Sequence, residues 1–169
     1  MPSKTIKVFV VDDSSLFRKM IIDYLSSCPD IQVVGYAFNA YDARKKIPLL
    51  KPDVITMDVE MPGLNGIDFL KDFLPLHPIP VVLVSSLNLN VFDVLSAGAV
   101  DFVRKPDMNI VSKEQFFSAL NSKIHIASFA KVRCASRKRT TSTAASTTTA
   151  PKKPLFADKQ LSFQSTVIA

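Results

Sequence analysis

Cysteine, histidine and glycine are all scarce in this chain, and each scarcity closes off a chemistry. Cys28 and Cys134 are the two cysteines, far apart and outside any CxxC pair, which fits a reduced cytoplasmic protein better than a disulfide scaffold. The two histidines, His77 beside a proline-rich turn and His125 within a helical pattern, read as ordinary surface or partly packed side chains. Ser86 has no GxSxG-type elbow around it, so no hydrolase nucleophile is on offer. With four glycines in all, no Gly-rich phosphate fingerprint follows the first strand, which argues against a dinucleotide fold of the Rossmann type. No apolar run reaches the roughly 18 residues that a membrane span needs. Residues Met1 to Lys7 carry charge with no long apolar stretch behind them, so no secretory signal is expected.

What remains is enough for one ordinary domain and some extra chain: 169 residues, 47% of them apolar. The formal charge of +6 is misleading as an average. Residues 131–169 carry 8 Lys and Arg against one acid, Asp158, whereas residues 1–130 hold 13 bases and 14 acids. The globular part is near neutral and the basic character belongs to the tail. Without interleaved aromatics or a reading helix, such a tail reads as a solvated linker, and no nucleic-acid partner is expected.

Apolar runs and helical periodicities alternate along residues 6–129. Strands are expected over 6–11, 31–37, from 54 to Asp58, 80–85 and 100–104, each short and mostly apolar, the fourth almost wholly so. Between them, helices are expected over about 15–27 (with Leu16, Met20 and Tyr24 on its face and Phe17, Ile21 and Leu25 beside them), 40–47, a stretch holding Ile67, Leu70 and Phe73, 89–97, and 112–129. On the last of these, Phe117, Leu120, Ile124 and Ala127 share a face. Strands buried on both sides and alternating with helices imply right-handed βαβ units, hence an α/β fold. The expected form is a doubly wound, flavodoxin-like five-stranded parallel sheet. From residue 131 the periodicity stops in a Ser/Thr/Lys-rich stretch including Thr140 to Thr149, read as a flexible linker over 131–164. Residues 165–169 turn apolar again and read as the opening of a further strand.

The strand ends collect one set of side chains: Asp12 and Asp13 after the first, Asp58 after the third, Ser85 after the fourth and Lys105 after the fifth. Met61-Pro62-Gly63 turns the chain just beyond Asp58. In open α/β sheets the ligand crevice lies outside the carboxyl ends of the strands. Three carboxylates around one crevice repel each other unless a cation sits among them, and all-oxygen ligation suits Mg²⁺. Asp13 and Asp58 are the favoured carboxylates, with a backbone carbonyl near Glu60. With its charge offset, Asp58 can act as a nucleophile toward phosphorus, forming an aspartyl phosphate. Lys105 can then pair with one phosphoryl oxygen and Ser85 can donate to another. Taken singly, each residue has a blander reading: Asp12 and Asp13 as helix caps, Lys105 as a solvated loop cation, Ser85 as a turn residue. Their joint occurrence at successive strand ends argues against all three.

Val11-Asp12-Asp13-Ser14, Met57 to Gly63, Ser85-Ser86 and Lys105-Pro106 together resemble the receiver domain of two-component response regulators, over about residues 5–128. The resemblance implies phosphoryl transfer from a histidine kinase to Asp58, with Asp12, Asp13, Asp58 and the Glu60 carbonyl around Mg²⁺. It also implies a switch in which Ser85 moves toward the phosphoryl group and Phe102, where many receivers carry tyrosine, reorients. The longer stretches Asp12 to Met20, Lys51 to Pro62, Pro80 to Leu87 and Gly98 to Pro106 are similar to the chemotaxis protein-glutamate methylesterases. That closer resemblance implies a receiver over residues 1–130, a linker over 131–164, and at 165–169 the start of a C-terminal methylesterase domain outside this chain. It further implies a chemotaxis histidine kinase as donor, intramolecular contact with the methylesterase domain, and methyl-accepting receptors reached through that domain. The alternative is a stand-alone receiver that only docks a partner when phosphorylated. A Mg²⁺-dependent phosphohydrolase with Glu60 as second acid is disfavoured, because such enzymes place their nucleophile after the first strand.

Overall fold

The computed structural model describes residues 5–106 and 110–130; the expected linker and the strand at 165–169 lie outside the described residues. Strands and helices alternate as β1 (Ile6–Val11), α1 (Ser15–Ser26), β2 (Ile31–Ala37), α2 (Ala40–Leu50), β3 (Val54–Asp58), α3 (Gly66–Phe73), β4 (Val81–Ser85), α4 (Val91–Ser96), β5 (Asp101–Arg104) and α5 (Ile110–Phe129). All pairings are parallel and the strand order is β2-β1-β3-β4-β5, the flavodoxin-like order. One face of the sheet packs on α1 and α5, burying Ile21, Leu25, Phe116, Leu120, Ile124 and Ala127 against the valines of β1, β3, β4 and β5. The other packs on α2, α3 and α4, with Ile47, Phe69, Phe73 and Val94 against Phe9, Ile55, Met57 and Leu83. Because both faces are covered, β3 and β4 are buried at every residue, which is why they read as mostly apolar runs rather than alternating ones.

The β-to-α loops at the carboxyl rim close on short polar caps. Ser14, Asn39, Asn65 and Asn90 each accept a backbone N–H of the helix they open, satisfying donors that the first turn cannot. Helix boundaries differ from expectation in places with clear causes. Helix α2 runs three residues further than its periodicity suggests, through Pro48, and stops where Lys51 turns left-handed (φ 46°) and its N–H bonds Ile47 O. Pro48, in the last turn, forfeits one intrahelical bond. Helix α4 is shorter than expected because Asn90 caps it.

The fold sorts the apolar positions of two helices. Of the apolar positions at helical spacing on α1, Leu16 is 66% exposed, while Ile21 and Leu25 beside it are buried and Phe17 is partly covered. On α5 the deep aromatic is Phe116 rather than Phe117, which stacks on Tyr24 at 4.6 Å. Sequence periodicity leaves a neighbouring-residue ambiguity that only the direction of the adjacent helix resolves. His125 is more than a packed side chain. It spans Asn121 O (2.8 Å from Nδ1) and Asp30 Oδ2 (2.5 Å from Nε2), tying α5 to the turn before β2. Two acceptors favour the doubly protonated ring, so the imidazole pKa is raised, by the Asn121 carbonyl and then by Asp30, while the Asp30 carboxyl is lowered by His125.

Edge strand β2 carries its own protection: Lys46 Nζ donates to Tyr36 O at 3.2 Å and places its charge near the exposed Tyr36 ring. In the centre of the sheet, Thr56 lies between Val10 and Val82, buried, with no hydrogen-bond partner for its hydroxyl. Thr56→Val keeps the shape and removes the orphaned hydroxyl. It is expected to stabilise the domain by about 1 kcal/mol, raising the urea midpoint at unchanged slope. An unchanged or lower midpoint would show that the hydroxyl is satisfied in solution.

Candidate functional site

The strand order diverges at β1 and β3, and the crevice at such a switch point opens outside their carboxyl ends. The register Val11↔Met57 sets Asp12 and Asp58 side by side at the rim. Beside them β5 continues into Lys105, whose N–H bonds Ser85 O at 2.8 Å. The sheet therefore brings residues 12, 58, 85 and 105 together although they are spread over most of the domain.

Asp12 and Asp58 are each 1% exposed, and Lys105 Nζ reaches both, 2.8 Å from Asp58 Oδ2 and 3.1 Å from Asp12 Oδ2. Asp58 Oδ1 accepts the Glu60 N–H at 3.0 Å, and Asp12 Oδ1 accepts the Ser14 N–H at 2.9 Å. Asp13 is exposed, but one of its carboxylate oxygens completes a cluster with Asp12 and Asp58 in which the three atoms lie within 4.8 Å of one another. Burial is the dominant influence on the Asp58 carboxyl. It outweighs the hydrogen bonds from Lys105 and the Glu60 amide, and with the nearby Asp12 it pushes the pKa up to about 6. Asp12 is raised for the same first reason. Burial works against the Lys105 ammonium, yet Asp58 and Asp12 prevail and hold its pKa above the ordinary lysine value.

One ammonium cannot neutralise three carboxylates, and the buried Asp12 Oδ2 lies close to Lys105 without a hydrogen-bond partner. Three converging carboxylate oxygens and an under-satisfied lone pair are the donor set of a hard divalent cation that keeps part of its water shell. The residues present thus fit Mg²⁺.

Ser85 is fully buried, and its hydroxyl accepts the Leu87 N–H at 3.0 Å. Phe102 is half-buried beside the core, with Lys123 Nζ 5.8 Å from its ring centre. Two participants were not visible in sequence. The Glu60 side chain, expected to matter only through its carbonyl, accepts the Ser86 N–H at 2.6 Å and so ties the loop after β3 to the loop after β4. Burial pushes its carboxyl up, but hydrogen bonds from Ser86 prevail and lower it. Arg18 Nη1 donates to Asp12 O at 2.6 Å, fixing the peptide that carries the buried acid. Neither has a local sequence signal, since each depends on a loop or strand end that only the fold brings near. Close packing holds the rim together: a Cβ on Gly66 would lie 2.3 Å from Asp58 O.

A sheet that delivers buried acids, a lysine and a hydroxyl to one rim in this order defines a receiver. The model of the response regulator receiver domain matches residues 8–115, and the chain belongs to that family. Within it, the chain is 41% identical to the response regulator domain of Thermotoga maritima CheB, with a TM-score of 0.70, covering 76% of this chain and 99% of that one. It is also 50% identical over 133 residues to protein-glutamate methylesterase/protein-glutamine glutaminase 2 of Syntrophomonas wolfei, covering 78% of this chain and 39% of that protein. A relative from Vibrio vulnificus with the same name is 44% identical over 137 residues, 40% of its length. The receiver is thus homologous to the N-terminal regulatory domain of the chemotaxis methylesterases, and the chain spans about two fifths of the length of the curated relatives it matches. No helix among the described residues is long and apolar enough to cross a membrane.

Proposed function

We propose that this receiver accepts a phosphoryl group on Asp58 from a chemotaxis histidine kinase in the cytoplasm and thereby controls a protein-glutamate methylesterase domain acting on methyl-accepting receptors. The observation that carries the reading is the buried Asp58 carboxylate with Lys105 Nζ at 2.8 Å. An Asp58 carboxylate oxygen forms the bond to phosphorus, and the donor's leaving group departs with the electron pair of the bond it breaks. The Lys105 ammonium, already held at the mouth of two carboxylates, turns to a phosphoryl oxygen. Asp12, Asp13, Asp58 and the Glu60 carbonyl would hold Mg²⁺, which when bound offsets the crowded negative charge of acids and phosphoryl group. The Ser85 hydroxyl gives up the Leu87 N–H and donates to the phosphoryl group, loosening the loop before α4. Phe102 reorients with it, having no hydroxyl of its own to contribute.

The output surface in this reading is the face of α4, β5 and α5, which contacts the methylesterase domain. The exposed Leu87, Val91, Phe92 and Leu95 on and before α4 support that choice. They form an apolar patch beside the loop that Ser85 would move.

Incubation with acetyl phosphate, with and without Mg²⁺, read by intact mass and by peptide mapping, tests the core of the reading. One metal-dependent phosphoryl adduct mapping to Asp58 is the expected result. An adduct elsewhere, or none under any condition, would reduce the domain to a docking module.

A further inference from the structure

Beside the acidic crevice lies a groove of about 440 Å³ between the first turns of α1 and the end of β5, lined by Leu16, Phe17, Met20, Pro106, Lys105 and Lys113. Ser14 and Ser86 complete its rim. We propose that it is a leaving-group subsite that makes acyl phosphates of apolar carboxylic acids efficient phosphoryl donors to Asp58; the inference rests on the phospho-acceptor reading above.

Three observations carry it. First, the groove is continuous with the site, because Lys105 lines it and also touches Asp58 and Asp12. A donor whose phosphoryl group reaches Lys105 extends its other end into this space. Second, the floor of the groove is apolar. Leu16 faces out with Met20 and Phe17 beside it, and the Phe17 ring sits 4.9 Å from Lys105 Nζ. Third, Lys113 supplies a second cation on the groove wall. That combination matches a leaving group that gains negative charge as it departs while keeping an apolar tail.

The step balances without any further reactant. A carboxylate oxygen of Asp58 bonds to phosphorus, and the bond from phosphorus to the bridging acyl oxygen breaks. Its electron pair leaves on the carboxylate product, and no proton moves. Lys113 stabilises that charge and Leu16 and Met20 cover the tail. A neutral or strongly hydrated leaving group gains from neither.

The test compares second-order rates of adduct formation with acetyl and butyryl phosphate under saturating Mg²⁺, read by intact mass. Two added methylenes entering a partly open groove should favour butyryl phosphate by about tenfold. Leu16→Gln is expected to cut that preference to about twofold or less, an exposed substitution that leaves the core intact. Lys113→Gln should slow both acyl phosphates by a similar factor. Leu49→Gln, at an exposed position on α2, serves as control and keeps the preference. Equal rates for the two donors in the wild-type domain, or an undiminished preference in Leu16→Gln, overturn the subsite while leaving Asp58 as acceptor. Absence of any adduct with acetyl phosphate removes the phospho-acceptor reading itself.

Discussion

Asp58→Asn is expected to abolish phosphoryl acceptance and, at the same time, to make the metal-free domain more stable at neutral pH. The two effects share one cause. Burial and the nearby Asp12 raise the Asp58 carboxyl to about 6, so the folded state binds its proton more tightly than the unfolded chain does. A raised carboxyl contributes stability at low pH that is lost as pH rises from the ordinary carboxylate range through about 6. At pH 7.5 the domain has lost all of it. Asparagine keeps an oxygen for the Lys105 ammonium or the Glu60 amide and carries no charge to desolvate.

The expected gain is on the order of 1–3 kcal/mol at pH 7.5 in chelator, or a melting temperature higher by several degrees. Lys105, left with Asp12 alone, keeps the figure toward the lower end. Thermal melts from pH 5 to 8 without divalent cations check this: the wild-type curve should fall through pH 6 more steeply than the variant's. With Asp58 among the proposed ligands, Mg²⁺ should then raise the wild-type melting temperature more than the variant's. A variant less stable than wild type at every pH would show that Lys105 needs the carboxylate more than the crevice resents it. The trade is a common one, with binding sites keeping strain that a neutral side chain relieves.

Gly66→Ala is the second large effect, and two principles oppose each other there. Helix propensity favours alanine over glycine by about 1 kcal/mol. Packing forbids it. The added Cβ would lie 2.3 Å from Asp58 O and 3.1 Å from Val59 Cα, and both are backbone atoms that cannot rotate aside. The Gly66 N–H also bonds Val59 O at 3.0 Å, so α3 cannot back away without losing that bond. The clash wins, at a cost of about 3 kcal/mol, enough to lower the melting temperature by roughly 10 °C. Moving the Asp58 peptide also displaces the proposed acceptor, so the adduct should form at least about tenfold more slowly. Chemical denaturation and the acetyl phosphate assay measure the two parts separately. Retained stability with a normal rate would mean that α3 can shift freely.

How much of this was legible in advance follows from which interactions are local. Strand ends, apolar runs and polar caps are written in adjacent residues, so the five strands, the parallel order and the set Asp12, Asp13, Asp58, Ser85 and Lys105 all follow from reading along the chain. A parallel sheet with right-handed crossovers has few ways to arrange five such units, which turned positions along the sequence into neighbours in space. The sequence by itself therefore determined the fold class and which side chains gather at the rim.

Tertiary structure decided what depends on the direction of one element against another. Periodicity could not tell Phe116 from Phe117, or which of the apolar positions of α1 would be buried and which would line the groove, because both depend on how α1 and α5 lie on the sheet. Arg18 reaches the Asp12 carbonyl, and Glu60 reaches an amide 26 residues away, through loop geometry that no spacing encodes. The raised pKa of Asp58 likewise belongs to burial and to the neighbouring Asp12, against the opposing hydrogen bond from a lysine 47 residues distant. A carboxylate's identity is local, but the field it sits in is made by the whole fold.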